Sequence, residues 1–121
     1  LEGAWLSPGA LVCAVGANDP RARELDGAVI ERAAFVYCDS IEDAQHESGD
    51  LIIPVAEGRL DCAAVRELHE VVAGHVTARA GADDIVLFKS NGIAPWDLAI
   101  GHELVLRAIA QGVGTHVESR R

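Results

Sequence analysis

Ser90 and Asn91 are the residues whose type and spacing first suggest chemistry. They lie in Asp84-Ile85-Val86-Leu87-Phe88-Lys89-Ser90-Asn91-Gly92-Ile93-Ala94-Pro95-Trp96-Asp97-Leu98, which reads as a strand, a polar turn and a helix start. Ile85 to Phe88 is a short apolar run of the kind that a strand buried on both faces needs. Ser90-Asn91-Gly92 breaks it with small residues that can turn the backbone and leave N–H groups free. Pro95 suits the first turn of a helix, where its missing N–H would have had no partner, and Asp97 adds favourable charge at the positive helix end. Ligands of open α/β sheets collect at the carboxyl ends of strands, where such turns lie. The chemistry on offer is hydrogen bonding to a ligand; the plain alternative is that Ser90 and Asn91 only make the turn.

The rest of the chain supplies the elements that must hold this turn. Ala10 to Val15 is a continuous apolar run ended by Gly16 and reads as a buried strand. The polar segment Ala17 to Asp26 leaves it at the carboxyl end, either as a functional loop or as a solvated connection. Asp26 caps a short helix through Ala33. Ala34 to Cys38 is the second strand, and Asp39-Ser40 cap a helix from Ile41 to Glu47 that Gly49 stops. Leu51-Ile52-Ile53-Pro54-Val55 holds a proline and reads as an edge strand or a packed loop. Asp61 starts a helix with Ala64, Val65, Leu68, Val71 and Val72 at helical spacing.

The longest helix runs from Pro95 to Gln111, with Leu98, Leu104, Val105, Ala108 and Ile109 inward and Gly112 ending it. Gly114 to Glu118 reads as a last short strand, and Ser119 to Arg121 should fray. Strands alternating with helices at these spacings predict an α/β fold with a mainly parallel sheet. Nothing resembles a glycine-rich phosphate loop between a strand and a helix.

Composition narrows the partners. A chain of 121 residues, half of them hydrophobic, is long enough for one domain with a real core. A formal net charge of -9, with ten basic residues that form no cluster, argues against nucleic acid or an anionic membrane surface. Cys13, Cys38 and Cys62 are odd in number and widely spaced beside apolar neighbours, as expected of small buried residues in a reducing, cytoplasmic compartment. No metal site is expected, because His69 and His75 are too isolated to make a zinc ligand set. The chain contains no methionine and begins at Leu1, which suggests a trimmed product or a piece of a longer protein.

Three stretches together resemble the ornithine cyclodeaminase and mu-crystallin family. They are Gly9 to Pro20 with Arg23-Glu24-Leu25-Asp26, then Glu47-Ser48-Gly49-Asp50-Leu51, then Leu87 to Gly92 with Asp97-Leu98-Ala99. The resemblance implies a dimeric two-domain protein whose Rossmann-type domain binds NAD or NADP. It assigns residues 1–92 to the second half of that domain, and 93–121 to a helix and strand returning to the substrate and dimerisation domain. The family's glycine loop, and its substrate-binding lysine and arginine, would lie upstream.

The resemblance also carries residue roles. Val12, Cys13, Ala14, Val15 and Gly16 match the strand that runs along the nicotinamide, and Ser90 matches a serine near the cofactor. Asn91 stands where an apolar residue often adjoins the substrate. In the cyclodeaminases an aspartate serves as the catalytic acid-base group, and the matching residue here is Asn18. An amide cannot accept a proton at neutral pH, so ornithine cyclodeamination is in doubt unless Asp19 substitutes. A family lysine that meets the cofactor matches Ala22, leaving Arg21 or Arg23 to supply charge. Glu47 matches a recurrent acidic position without an assigned role. The implied function is reduction of a small imino acid, or the reverse oxidation of an amino acid. Ornithine cyclodeaminase, a non-catalytic ligand-binding protein and an inactive fragment are the alternatives.

Overall fold

A computed structural model of the chain describes residues 1–118. Four strands form one parallel sheet in the order β1-β4-β2-β3: β1 is Leu11–Ala14, β2 Ala33–Cys38, β3 Val65–Glu67 and β4 Ile85–Lys89. β4 lies between β1 and β2 and is the most deeply buried strand, as its run of apolar residues requires. The registers Ala14↔Lys89 and Cys38↔Lys89 bring the carboxyl ends of β1, β2 and β4 to one line. Three loops therefore meet there.

Among the described residues, five α-helices connect or follow the strands: α1 Gly27–Arg32, α2 Ile41–Glu47, α3 Gly49–Ala56, α4 Leu68–Val72 and α5 Ala94–Gln111. The core gathers Val12, Ala14, Leu25, Val29, Ile30, Val36, Cys38, Ala44, Leu51, Val65 and Leu87. Asp26 caps α1 by accepting the Val29 N–H at 3.0 Å, and Ser40 caps α2 through the Asp43 N–H at 3.2 Å. No helix among the described residues is long and apolar enough to cross a membrane.

Several expectations are corrected. Leu51 to Val55 is neither strand nor loop but the body of α3, with Pro54 inside the helix and buried. The helix is only eight residues long, so the proline removes one internal hydrogen bond, while its ring fills core space. Gly49 does not stop α2; Ser48 ends that helix and Gly49 opens α3. Asp61 caps only a single 3-10 turn, Cys62–Ala64, through the Ala63 N–H. Val65 then pairs with Val36, so sheet pairing at the open edge of β2 overrides the helical spacing, and helix resumes only at Leu68.

The last segment departs furthest. Leu98, Leu104, Val105 and Ile109 on α5 face solvent, with Leu98 76% exposed, because no described element lies over that helix. Its one aromatic contact is Trp96 against Phe88, with ring centroids 6.3 Å apart. Residues 114–118 form no strand, and Ser119 to Arg121 lie outside the described residues. Of the cysteines only Cys38 is buried; Cys13 points off the uncovered face of β1 and Cys62 lies in the turn before β3.

Candidate functional site

The candidate site is the line where β1, β2 and β4 end, and it is held from beneath by charges. Lys89, the last residue of β4, has a fully buried side chain. Its Nζ donates to the carbonyls of Ala17 and Ser90 and lies 3.5 Å from Asp50 and 3.6 Å from Glu24. Asp50, equally buried, accepts the N–H groups of Glu24 at 2.8 Å and Leu25 at 3.0 Å through Oδ1. Glu24 accepts the N–H groups of Gly16 and Ala17, both at 2.8 Å, through Oε1. These bonds, the Ala17 N–H first, hold the Glu24 carboxyl below its usual range despite partial burial, and Lys89 adds to the effect. One cation thus organises the whole loop that leaves β1.

Gly49 makes the arrangement possible. A Cβ there would stand 2.0 Å from the Ala22 carbonyl oxygen, so only glycine lets the start of α3 come under the loop and deliver Asp50. The stretches Arg23-Glu24-Leu25-Asp26, Ser48-Gly49-Asp50 and Phe88-Lys89-Ser90 are therefore three parts of one clamp. Glu24, Lys89 and Asp50 were not foreseen as part of a site. The available signal was a lysine closing an otherwise apolar buried run, which a charged side chain does only with partners.

The turn after β4 is tied to β2. Asp39 Oδ2 accepts from the Ser90 hydroxyl at 2.7 Å, the Asn91 N–H at 2.9 Å and the Gly92 N–H at 2.7 Å. Gly92 has a φ of +82°, which suits glycine and favours it over other residues. The Ser90 hydroxyl is thus committed as a donor within the turn. The Asn91 amide has both its Nδ2 and Oδ1 enclosed and without a partner.

The other expected residues fall on the same edge with different surroundings. Val12 and Ala14 are buried in the strand and Cys13 alternates outward, so their backbone lies in the ladder with β4. Val15 and Gly16 are exposed just beyond it, and neither carbonyl accepts a hydrogen bond among the described residues. Asn18 is exposed in the loop. Asp19 turns back on its own loop, accepting the Arg21 N–H at 2.8 Å and pairing with the Arg21 guanidinium at 3.1 Å. The Arg21 side chain is the main reason that the Asp19 carboxyl is held below its usual value. Arg23 pairs with Glu57 at 3.5 Å, and Glu47 is an exposed helix end. Val15, Gly16, Asn18, Ser90 and Asn91 thus share one edge, while Asp19 is occupied elsewhere.

A four-stranded parallel sheet with loops gathered at its carboxyl edge is an open α/β arrangement of the Rossmann type. A profile of the "Ornithine cyclodeaminase/mu-crystallin family" matches residues 1–110, and the chain belongs to that family. It is 37% identical over 114 residues to a Delta(1)-pyrroline-2-carboxylate reductase of Bacillus cereus, covering 93% of this chain and 35% of that protein. It is 41% identical over 98 residues to the ketimine reductase mu-crystallin of Mus musculus, covering 81% and 28%. The Thermococcus litoralis Delta(1)-pyrroline-2-carboxylate reductase, solved with NADH and L-proline, superposes with a TM-score of 0.86 at 37% identity, covering 97% of this chain and 36% of that one. The chain spans about a third of the length of these relatives.

Proposed function

We propose that this chain is part of an NAD(P)-dependent reductase of small cyclic or N-substituted imino acids, or of the reverse amino-acid dehydrogenase. The observation that carries this reading is the lack of a free carboxylate on the loop after β1, where Asn18 stands and Asp19 is bound to Arg21. A carboxylate whose pKa is depressed by an arginine is a weak proton acceptor, which disfavours the cyclodeaminase alternative. Hydride transfer needs positioning more than a protein base, and positioning is what the clamp under Gly16 and Ala17 provides.

NAD or NADP fits this edge. The Val15 and Gly16 carbonyls, which accept no hydrogen bond among the described residues, suit a flat polar ring, and the enclosed, unpartnered Asn91 amide suits a polar substrate. When bound, the cofactor would supply the hydride, and the proton that the reduced nitrogen takes up would come from solvent or from a residue outside this chain. The backbone from Val12 to Gly16, with Ser90 beside it, holds the nicotinamide end. Asn18 orients substrate or water, and Asn91 meets the small amino or imino acid. Residues 1–92 then form half of the nucleotide domain. The apolar faces of α5, within 93–121, return to a substrate and dimerisation domain of a cytoplasmic homodimer, a setting that suits three unpaired cysteines.

The test uses the full-length gene product with NADH and with NADPH against a panel of cyclic imino acids, following loss of reduced-nicotinamide absorbance. Turnover of an imino acid supports the reductase. Ammonia release from ornithine without imine turnover would instead establish the cyclodeaminase. Ligand binding without either would leave a non-catalytic protein.

A further inference from the structure

Two peptide planes at the end of β1 have their orientation set by one carboxylate. Glu24 Oε1 receives the N–H groups of Gly16 and Ala17, each at 2.8 Å. These belong to the peptides Val15–Gly16 and Gly16–Ala17, and the described chain holds no cis peptide. In a trans peptide the C=O points opposite to the N–H. The carbonyls of Val15 and Gly16 are therefore turned to the far side of the loop, away from Glu24; both residues are exposed, and neither carbonyl accepts a hydrogen bond among the described residues. The next peptide is fixed as well, because the Ala17 carbonyl accepts from the buried Lys89.

Two fixed acceptors on consecutive peptides suit a group with two N–H bonds. The primary carboxamide of a nicotinamide ring is one such group, and a protonated substrate nitrogen is another. We propose that Glu24 is a positioning residue that presents the Val15 and Gly16 carbonyls to the N–H bonds of the nicotinamide carboxamide. The carboxylate stays behind the loop and touches no ligand. This deepens the dinucleotide reading above and rests on it. Gly16 belongs to the same device: a Cβ there would come 2.8 Å from Glu24 Oε2 and push the carboxylate aside.

The test is calorimetry on the full-length protein with three ligands: NAD(P)+, its 3-acetylpyridine analogue, which lacks the N–H bonds, and ADP-ribose or its 2'-phosphate, which lacks the ring. Glu24→Ala should weaken NAD(P)+ about tenfold, the loss of one or two well-placed hydrogen bonds. The acetyl analogue should change much less, and the ADP-ribose ligand by under about twofold. Glu24→Gln keeps an oxygen that can accept both N–H groups and should restore most of the affinity. If Glu24→Ala does not fold, Gly16→Ala gives the same comparison with the carboxylate retained. Equal weakening of all three ligands, or no weakening of any, overturns the proposal. Unchanged NAD(P)+ with weakened binding of an amino-acid substrate also overturns it, by moving the donor to the substrate nitrogen. Failure of the wild-type protein to bind NAD(P)+ at all would remove the dinucleotide reading itself, a result distinct from any of these.

Discussion

Lys89 and Asp50 lie 3.5 Å apart, neither side chain exposed to solvent, and between them they join β4 to the first turn of α3 beneath the β1 loop. Removing one member leaves the other as an uncompensated buried charge. Lys89→Met should lower unfolding free energy by about 3–5 kcal/mol, read from the shift in denaturant midpoint. A shift under about 1 kcal/mol would show that water reaches Asp50 and that the pair does not hold the loop.

Gly49→Ala tests the close approach that delivers Asp50. Its new methyl group meets the Ala22 carbonyl at 2.0 Å, a backbone atom that moves only if the loop moves. Destabilisation of about 1–3 kcal/mol is expected from such overpacking. Gly58→Ala serves as a control with no atom within 4 Å, although its φ of +70° carries a smaller strain of its own. Comparable losses at both positions would count against the clamp.

Acid should loosen the same loop. The pKa of Glu24 is below its usual 4.5, chiefly through the Ala17 N–H, so the unfolded chain takes up a proton before the folded one as pH falls. The stabilisation is present above the unfolded value and is lost as pH drops through the folded one. Asp26, held below 3.8 mainly by the Val29 N–H, acts in the same direction at lower pH. Melting temperature should therefore fall on acidification below about pH 4.5, and less steeply in Glu24→Gln. Parallel profiles in the two proteins would exclude Glu24 as a contributor.

The three thiols should separate by reactivity. Burial, followed by the nearby charges of Glu67, Asp39 and Glu70, pushes the Cys38 thiol up to about 12, so almost no thiolate exists at neutral pH. A thiol reagent should modify exposed Cys13 and Cys62 in the native protein and reach Cys38 only after denaturation, as peptide mass mapping would show. Prompt native modification of Cys38 would mean that the β2 end opens readily.

Strands β1, β2 and β4 were legible because each is a continuous apolar run, and burial on both faces leaves few other ways to use one. Val65 to Glu67 was not, since three residues carry no period and the edge of β2 decides their conformation. Pro54 misled because the rule that excludes it from helix interiors assumes a long ladder, which an eight-residue helix does not have. The turn at Ser90 to Gly92 was readable from its small residues. Its partner Asp39 read only as a helix cap, 51 positions away from Ser90. The clamp was hidden for the same reason: Glu24, Asp50 and Lys89 are polar residues in three separate stretches, and only folding shows that they share one charge balance.

The outer edge of β1 pairs with no strand among the described residues, and Leu11 and Val15 beside it are exposed. Unpaired N–H and C=O groups next to apolar side chains are a template on which another extended segment can add by hydrogen bonding. A polypeptide laid along that edge would suppress aggregation as well as extend the sheet. Preparations of these 121 residues should therefore cloud as their concentration rises, and more slowly when charged residues replace Leu11 and Val15.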